Sequence, residues 1–144
     1  MITTEKTQLV DPDCLHMPAT QKLFQCVLLA EDDVALRRYL EVVLQRAGYQ
    51  VVAAADGLEA MKLLLTEQVD VVVTDALMPN LNGYELCRFV RNSQKLSHLP
   101  IVLLSALDPR NASSETEHAN AFLAKPVSPD ALVACLSQLA QDAG

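Results

Sequence analysis

Apolar residues in this chain follow two rhythms. Short unbroken runs, CVLLA (26–30), YQVVAA (49–54), VVVT (71–74), PIVLLS (100–105) and AFLA (121–124), predict five strands that are apolar on both faces. Between them, apolar positions recur at three- and four-residue spacing. Leu36, Leu40, Val43 and Ala47 predict a helix over 34–47, with Gly48 as its stop. Met61, Leu64 and Leu65 lie on one side of a helix starting near Leu58. Leu86, Phe89 and Val90 do the same over 83–92. A last helix carries Leu132, Cys135, Leu136 and Leu139 inward; Ser128 is its N-cap, Pro129 its first residue and Asp130 lies in its first turn. Residues 1–22 contain Pro12 and Pro18 and show no period, so they read as an extension or linker before one domain over 23–144. The stretch DPRNASSETEH (108–118) is almost wholly polar.

Strict strand–helix alternation with doubly apolar strands predicts an α/β fold: a doubly wound, five-stranded parallel sheet with helices on both faces. In such sheets the chemistry gathers at the carboxyl ends of the strands. Glu31, Asp32 and Asp33 follow the first strand, Asp75 the third, Ser105 ends the fourth, and Lys125 with Pro126 follows the fifth. Asp75 is the most demanding of these. A buried strand runs straight into its carboxylate, which is costly beside an apolar core unless a positive group meets it.

Composition narrows the function classes. Of 144 residues 51% are apolar, enough to build a core. The net charge of −7, from 11 basic and 18 acidic residues, disfavours direct nucleic-acid binding. No apolar run reaches the ~18 residues of a membrane span. The start, MITTEKTQLVDPDC, lacks the basic and apolar regions of a secretory signal. Cys14, Cys26, Cys87 and Cys135 form no CxxC pair or metal-ligand spacing and fit a reducing compartment, so the expected location is the cytoplasm. His16, His98 and His118 have no acidic or cysteine partner at useful spacing.

Several carboxylates and one ammonium on one edge suit a hard divalent cation that keeps waters, which favours Mg²⁺. The Ser105 hydroxyl adds a neutral donor. Such a set suits phosphoryl chemistry, where the protein positions groups and stabilises charge, and a carboxylate can itself be the nucleophile.

The segments LLAEDD, VVVTDALMPNLNGYEL, IVLLSA and FLAKP resemble the motifs of response-regulator receiver domains (CheY-like) of two-component signalling, from residue 26 to about 140. The resemblance implies strand order 2-1-3-4-5 with five helices, the flavodoxin-like receiver fold. It implies that Asp75 accepts phosphate from a sensor histidine kinase or a histidine phosphotransfer protein. It places Mg²⁺ on Asp32, Asp75 and the backbone carbonyl of Leu77, with Glu31 reaching it through water. Lys125 and the Ser105 hydroxyl would contact phosphoryl oxygens, and Ser105 with Phe122 would form a conformational switch. Pro79 and Gly83 would shape the loop after the acceptor, Gly83 by a permissive backbone. Asp33 falls one position past the acidic pair and outside the primary site. Leu77 and Leu107 would flank the approach of a hydrolytic water and slow self-dephosphorylation. The implied role is a signalling domain rather than an enzyme, acting on a downstream protein or effector domain, with no membrane contact.

Two features depart from the family pattern. Only 20 residues separate Ser105 from Lys125, so the fourth of the five helices, falling in 108–118, is expected to be short or irregular. The chain also ends about where a receiver ends, which reads as a stand-alone receiver or a fragment of a larger protein.

Each site residue also has a plainer reading. Asp32 and Asp33 serve as helix caps, Asp75 and Ser105 as turn residues, Lys125 as a solvated charge, and Phe122 as core. At the level of function the rival is a pseudo-receiver, a protein-interaction module that takes no phosphate. A phosphatase of the haloacid dehalogenase type needs a second acid two residues after the first, where Leu77 stands. A flavodoxin-like cofactor carrier needs a phosphate loop after the first strand, where the acids stand.

Overall fold

The structure is a computed structural model and describes residues 24–106 and 118–143. Along the chain it contains β1 (Cys26–Ala30), α1 (Val34–Arg46), β2 (Gln50–Ala54), α2 (Gly57–Thr66), β3 (Val71–Asp75), α3 (Gly83–Asn92), β4 (Ile101–Ser105), β5 (Ala121–Ala124) and α4 (Pro129–Ala143). The five strands form one parallel sheet in the order β2-β1-β3-β4-β5. This is the 2-1-3-4-5 order expected above. The helix expected in 108–118 lies outside the described residues, apart from His118 at its end, as do Leu107 and the extension 1–22.

Successive side chains of a strand point to opposite faces, so each apolar run feeds two cores. Leu28, Val72, Ile101 and Leu103 pack on one face with Ala60 and Leu64 of α2 and Leu86, Cys87 and Val90 of α3. Val27, Leu29, Val71, Val73, Val102 and Leu104 pack on the other with Leu40 and Leu44 of α1 and Leu132 and Leu136 of α4. The central strands β3 and β4 are buried along their whole length.

Two helix faces differ in detail from the spacing argument. In α1 the fully buried residues are Leu40 and Leu44, while Ala47 is the exposed C-cap. In α2 Ala60 and Leu64 are buried, but Leu65 is 62% exposed. A helix turns about 100° per residue, so Leu65 rotates off the stripe that its neighbour Leu64 occupies. The stop after α1 follows expectation: Gly48 has φ of 101°, a left-handed conformation suited to glycine.

The helix starts are capped by side chains that accept otherwise orphaned amides. Asp33 accepts from Leu36 N at 3.0 Å, Asp56 from Glu59 N at 2.8 Å and Ser128 from Ala131 N at 3.0 Å. Asn82 and Glu85 form a reciprocal capping box at α3.

Candidate functional site

Parallel pairing aligns the strand ends on one edge. Asp75 pairs in register with Leu104, and Ser105 with Ala124. Just beyond the strands, Ala76 N donates to Leu104 O at 2.9 Å and Lys125 N to Ser105 O at 2.9 Å. Glu31 N donates to Ala54 O at 3.1 Å. These backbone bonds extend the sheet by one residue and carry Glu31, Asp75, Ser105 and Lys125 to a common rim. Glu31, Asp75 and Ser105 are buried there, while Asp32 is exposed.

Lys125 is what meets Asp75. Its Nζ lies 2.9 Å from Asp75 Oδ2 and 3.3 Å from Glu31 Oε1. Burial alone would lower the Lys125 pKa, but the hydrogen bond to Asp75 and the charges of Glu31 and Asp75 leave it raised. Glu31 is also raised: burial dominates, and the Asp33 amide and Lys125 only partly offset it, with Asp75 adding repulsion. Glu31 Oε2 accepts from Asp33 N at 3.1 Å. Its Oε1 is buried and ion-paired to Lys125, yet has no hydrogen bond of good geometry. Arg37 Nη1 donates to the Glu31 backbone carbonyl at 2.8 Å, which fastens the acid-bearing loop to α1.

Carboxylate oxygens of Glu31, Asp32 and Asp75 lie within 4.8 Å of one another. Three carboxylates against one ammonium leave excess negative charge, and Glu31 Oε1 has acceptor capacity to spare. All available donors are oxygen, so the chemistry fits a hard divalent cation such as Mg²⁺.

The loop after Asp75 is folded tightly against its surroundings. Gly83 N donates to Ala76 O at 2.9 Å and closes it. A Cβ on Gly83 would overlap the Asp75 carbonyl oxygen. The glycine is therefore required for close approach; its φ is not positive, which corrects the permissive-backbone expectation. Thr74 Oγ1 donates to the same carbonyl at 3.0 Å. Within the loop Leu77 is 62% exposed and Pro79 is exposed. Phe122 pairs in register with Leu103 and is half-buried against the α2/α3 core.

Spacing brought out Glu31, Asp32, Asp75, Ser105 and Lys125, and the fold brings them to one rim. It missed Arg37, Asp56, Gly57 and Asn80. Asn80 Nδ2 donates to Asp56 Oδ2 at 2.7 Å, and a Cβ on Gly57 would overlap the Leu81 carbonyl oxygen. The only hint in the sequence is Asp-Gly at the head of a helix, a pattern common to many turns.

Comparison with known proteins points to one family. The family model "Response regulator receiver domain" matches residues 27–137. The chain is 41% identical over 123 residues to a "Probable transcriptional regulator ycf27" of Guillardia theta, covering 84% of this chain and 46% of that protein. It is 33% identical over 120 residues to "Transcriptional regulatory protein GltR" of Pseudomonas aeruginosa, covering 78% and 48%. The chain thus spans about half the length of these relatives. Among solved structures, the chemotaxis response regulator CheY4 of Vibrio cholerae superposes with a TM-score of 0.76 at 30% identity, covering 81% of this chain and 98% of that one.

Proposed function

Because the chain belongs to the response regulator receiver domain family, we propose that it is the phosphoacceptor of a two-component system or phosphorelay, with Asp75 as the acceptor. The observation that carries the reading is the ammonium of Lys125 held between the carboxylates of Asp75 and Glu31, with Asp32 beside them. The Lys125 ammonium, 2.9 Å from Asp75 Oδ2, offsets the acid at the rim, where a carboxylate oxygen can serve as the nucleophile.

The donor is a phosphohistidine of a sensor histidine kinase or a histidine phosphotransfer protein. An Asp75 oxygen attacks the phosphorus in line. The phosphorus–nitrogen bond breaks, its electron pair returns to the imidazole, and an acyl phosphate forms. Asp32, Asp75 and the Leu77 backbone carbonyl would hold Mg²⁺ directly and Glu31 would reach it through water; the ion would supply charge neutralisation for the phosphoryl oxygens. The Lys125 ammonium shifts its contact from Asp75 to a phosphoryl oxygen, and the Ser105 hydroxyl donates to another. Movement of Ser105 toward the phosphoryl group opens space for Phe122, which shifts a pre-existing equilibrium. Residues 23–144 act as the receiver and 1–22 as an extension or linker. The protein works in the cytoplasm and passes its state to a downstream protein or effector domain, without itself binding nucleic acid or membrane. Among the described residues no helix is long and apolar enough to cross a membrane.

The test is incubation with acetyl phosphate and Mg²⁺ followed by intact mass. A gain of one phosphoryl group that EDTA prevents and Asp75→Asn abolishes is the expected result. No gain in the wild type, with either acetyl phosphate or a phosphorylated phosphotransfer protein, makes the chain a pseudo-receiver.

A further inference from the structure

Asn80 is the one non-glycine residue with positive φ among the described residues, at 71°. Asparagine tolerates this conformation better than most side chains but still needs a reason to adopt it. In that conformation its amide reaches across to the N-cap of α2 and donates to Asp56 Oδ2 at 2.7 Å. The other oxygen of Asp56 accepts from Glu59 N at 2.8 Å, so the acceptor is itself held by its helix. Beside this bond, Gly57 presses on the Leu81 carbonyl so closely that no side chain fits between them. Two adjacent residues of the loop therefore dock on the N-cap and first residue of α2.

The other end of the loop is fixed by backbone hydrogen bonds. Ala76 N donates to Leu104 O at 2.9 Å, and Ala76 O accepts from Gly83 N at 2.9 Å. Leu77, Met78 and Pro79 span the interval between the Ala76 anchor and the Asn80 anchor. Their backbone has no other restraint from outside the loop among the hydrogen bonds described. We infer that Asn80 and Asp56 are a positioning pair, which holds the loop over 76–82 so that its backbone at Leu77 is preset for Mg²⁺ before the ion arrives. The pair touches neither the ion nor the phosphoryl group. It rests on the phosphoacceptor reading above for the role of Leu77, and adds to it residues on a separate element.

Presetting matters because a flexible ligand must be ordered at the moment of binding, which weakens affinity. Electrostatics alone would change the affinity in the opposite direction, which separates the two explanations. Asn80→Asp adds a negative charge near an acidic cluster, which by electrostatics alone tightens Mg²⁺. It also sets two carboxylates against each other and breaks the pair.

The experiment measures Mg²⁺ affinity by calorimetry, and the exchange rate of the Gly83 amide by NMR, in the full chain. Asn80→Asp is expected to weaken Mg²⁺ by roughly threefold to tenfold, the size of one lost hydrogen bond, and to speed Gly83 exchange. Adding Asp56→Asn to it restores a donor–acceptor pair in reverse and keeps an N-cap, so affinity should return to within about twofold of wild type, as a double-mutant cycle requires. Asn80→Gly keeps the left-handed backbone without the amide and serves if the charged variant folds poorly; it should weaken Mg²⁺ similarly. Asp56→Ser keeps the helix cap but is too short to reach Asn80, and should behave like Asn80→Gly. Unchanged or tighter Mg²⁺ binding in Asn80→Asp and Asn80→Gly overturns the inference while leaving the phosphoacceptor reading intact. A wild type that binds no Mg²⁺ and takes no phosphate overturns both.

Discussion

Lys125 Nζ sits 2.9 Å from Asp75 Oδ2, and the two residues come from the carboxyl ends of strands separated in the sheet by β4. A cation from one side of the rim thus offsets an acid that the apolar core would otherwise penalise. Its second contact, 3.3 Å to Glu31 Oε1, spreads one charge over two carboxylates.

Removal of that cation exposes the repulsion it restrains. Lys125→Met leaves Glu31 and Asp75 facing each other without the cation between them. We expect the metal-free protein to lose about 1–3 kcal/mol at neutral pH, less than for a fully buried pair because the Lys125 side chain is 24% exposed. Excess Mg²⁺ should recover much of the loss, since it neutralises the same acids. Urea unfolding of wild type and variant, with and without the ion, measures both effects. Phosphorylation by acetyl phosphate should fall at least about tenfold, and an unchanged rate would remove Lys125 from the mechanism.

Glu31 gives a pH dependence with a definite sign. Its folded pKa is raised, mainly by burial. A raised acid contributes stability that is full below the ordinary glutamate value of 4.5 and is lost as pH rises through the folded pKa. Lys125, also raised, contributes stability that is full below its ordinary 10.5 and is lost as pH rises through its own, higher value. Glu31→Gln should therefore stabilise the metal-free protein by about 1 kcal/mol at pH 7, and the gain should shrink as pH falls through the carboxylate range. Denaturation midpoints of wild type and variant across that range decide the matter; equal pH profiles would show that burial of Glu31 carries no penalty. The same variant should bind Mg²⁺ more weakly.

The contrast between what spacing revealed and what it hid has a physical basis. Strands β1, β3, β4 and β5 are unbroken apolar runs that end on a polar group or run straight into one, so both the fold and the rim could be located from composition along the chain. Parallel pairing then leaves those groups little choice but to converge. Asn80 and Asp56 are 24 residues apart in separate loops, and nothing local in either predicts their meeting. Gly57 looks like an ordinary helix start until Leu81 is found against it. Leu65 and Ala47 fit the apolar spacing of their helices because apolar character does not distinguish the stripe from the residue beside it; only packing does.

Arg91 was likewise invisible from spacing, although it ties together three segments at the opposite edge of the sheet. Its guanidinium donates to Leu99 O at 2.7 Å, Ser97 O at 3.1 Å, His118 O at 2.9 Å and Asn120 Oδ1 at 2.7 Å. Asn120 Oδ1 in turn accepts from Ile101 N at 2.8 Å. Arg91→Ala leaves several carbonyls without a donor and should cost about 2–4 kcal/mol in thermal or urea unfolding. Arg91→Lys should recover less than half, because an ammonium cannot reproduce the planar fork. Full recovery by lysine would mean that charge, not geometry, holds these segments. Phosphorylation kinetics at 25 °C should be nearly unchanged in Arg91→Lys, since the residue lies away from the rim.

The lifetime of the phosphorylated state depends on how easily water reaches the phosphorus of the acyl phosphate. Leu77, two residues after Asp75, is 62% exposed on the loop that follows it. It has no polar atom to orient a water in line with the breaking bond, and its bulk screens the approach. Its exposure also means that a polar replacement disturbs no core. Leu77→Asn should therefore speed loss of phosphate by roughly threefold to tenfold, with the rate of phosphorylation by acetyl phosphate little changed, because the backbone carbonyl is retained. Leu107→Glu tests the second position that the family resemblance implicates. The measurement is the decay of phosphorylated protein in excess Mg²⁺ after removal of the donor. Equal decay in wild type and both variants would show that water access is governed elsewhere on the rim, and would return the lifetime to Lys125 and the charge balance it sets.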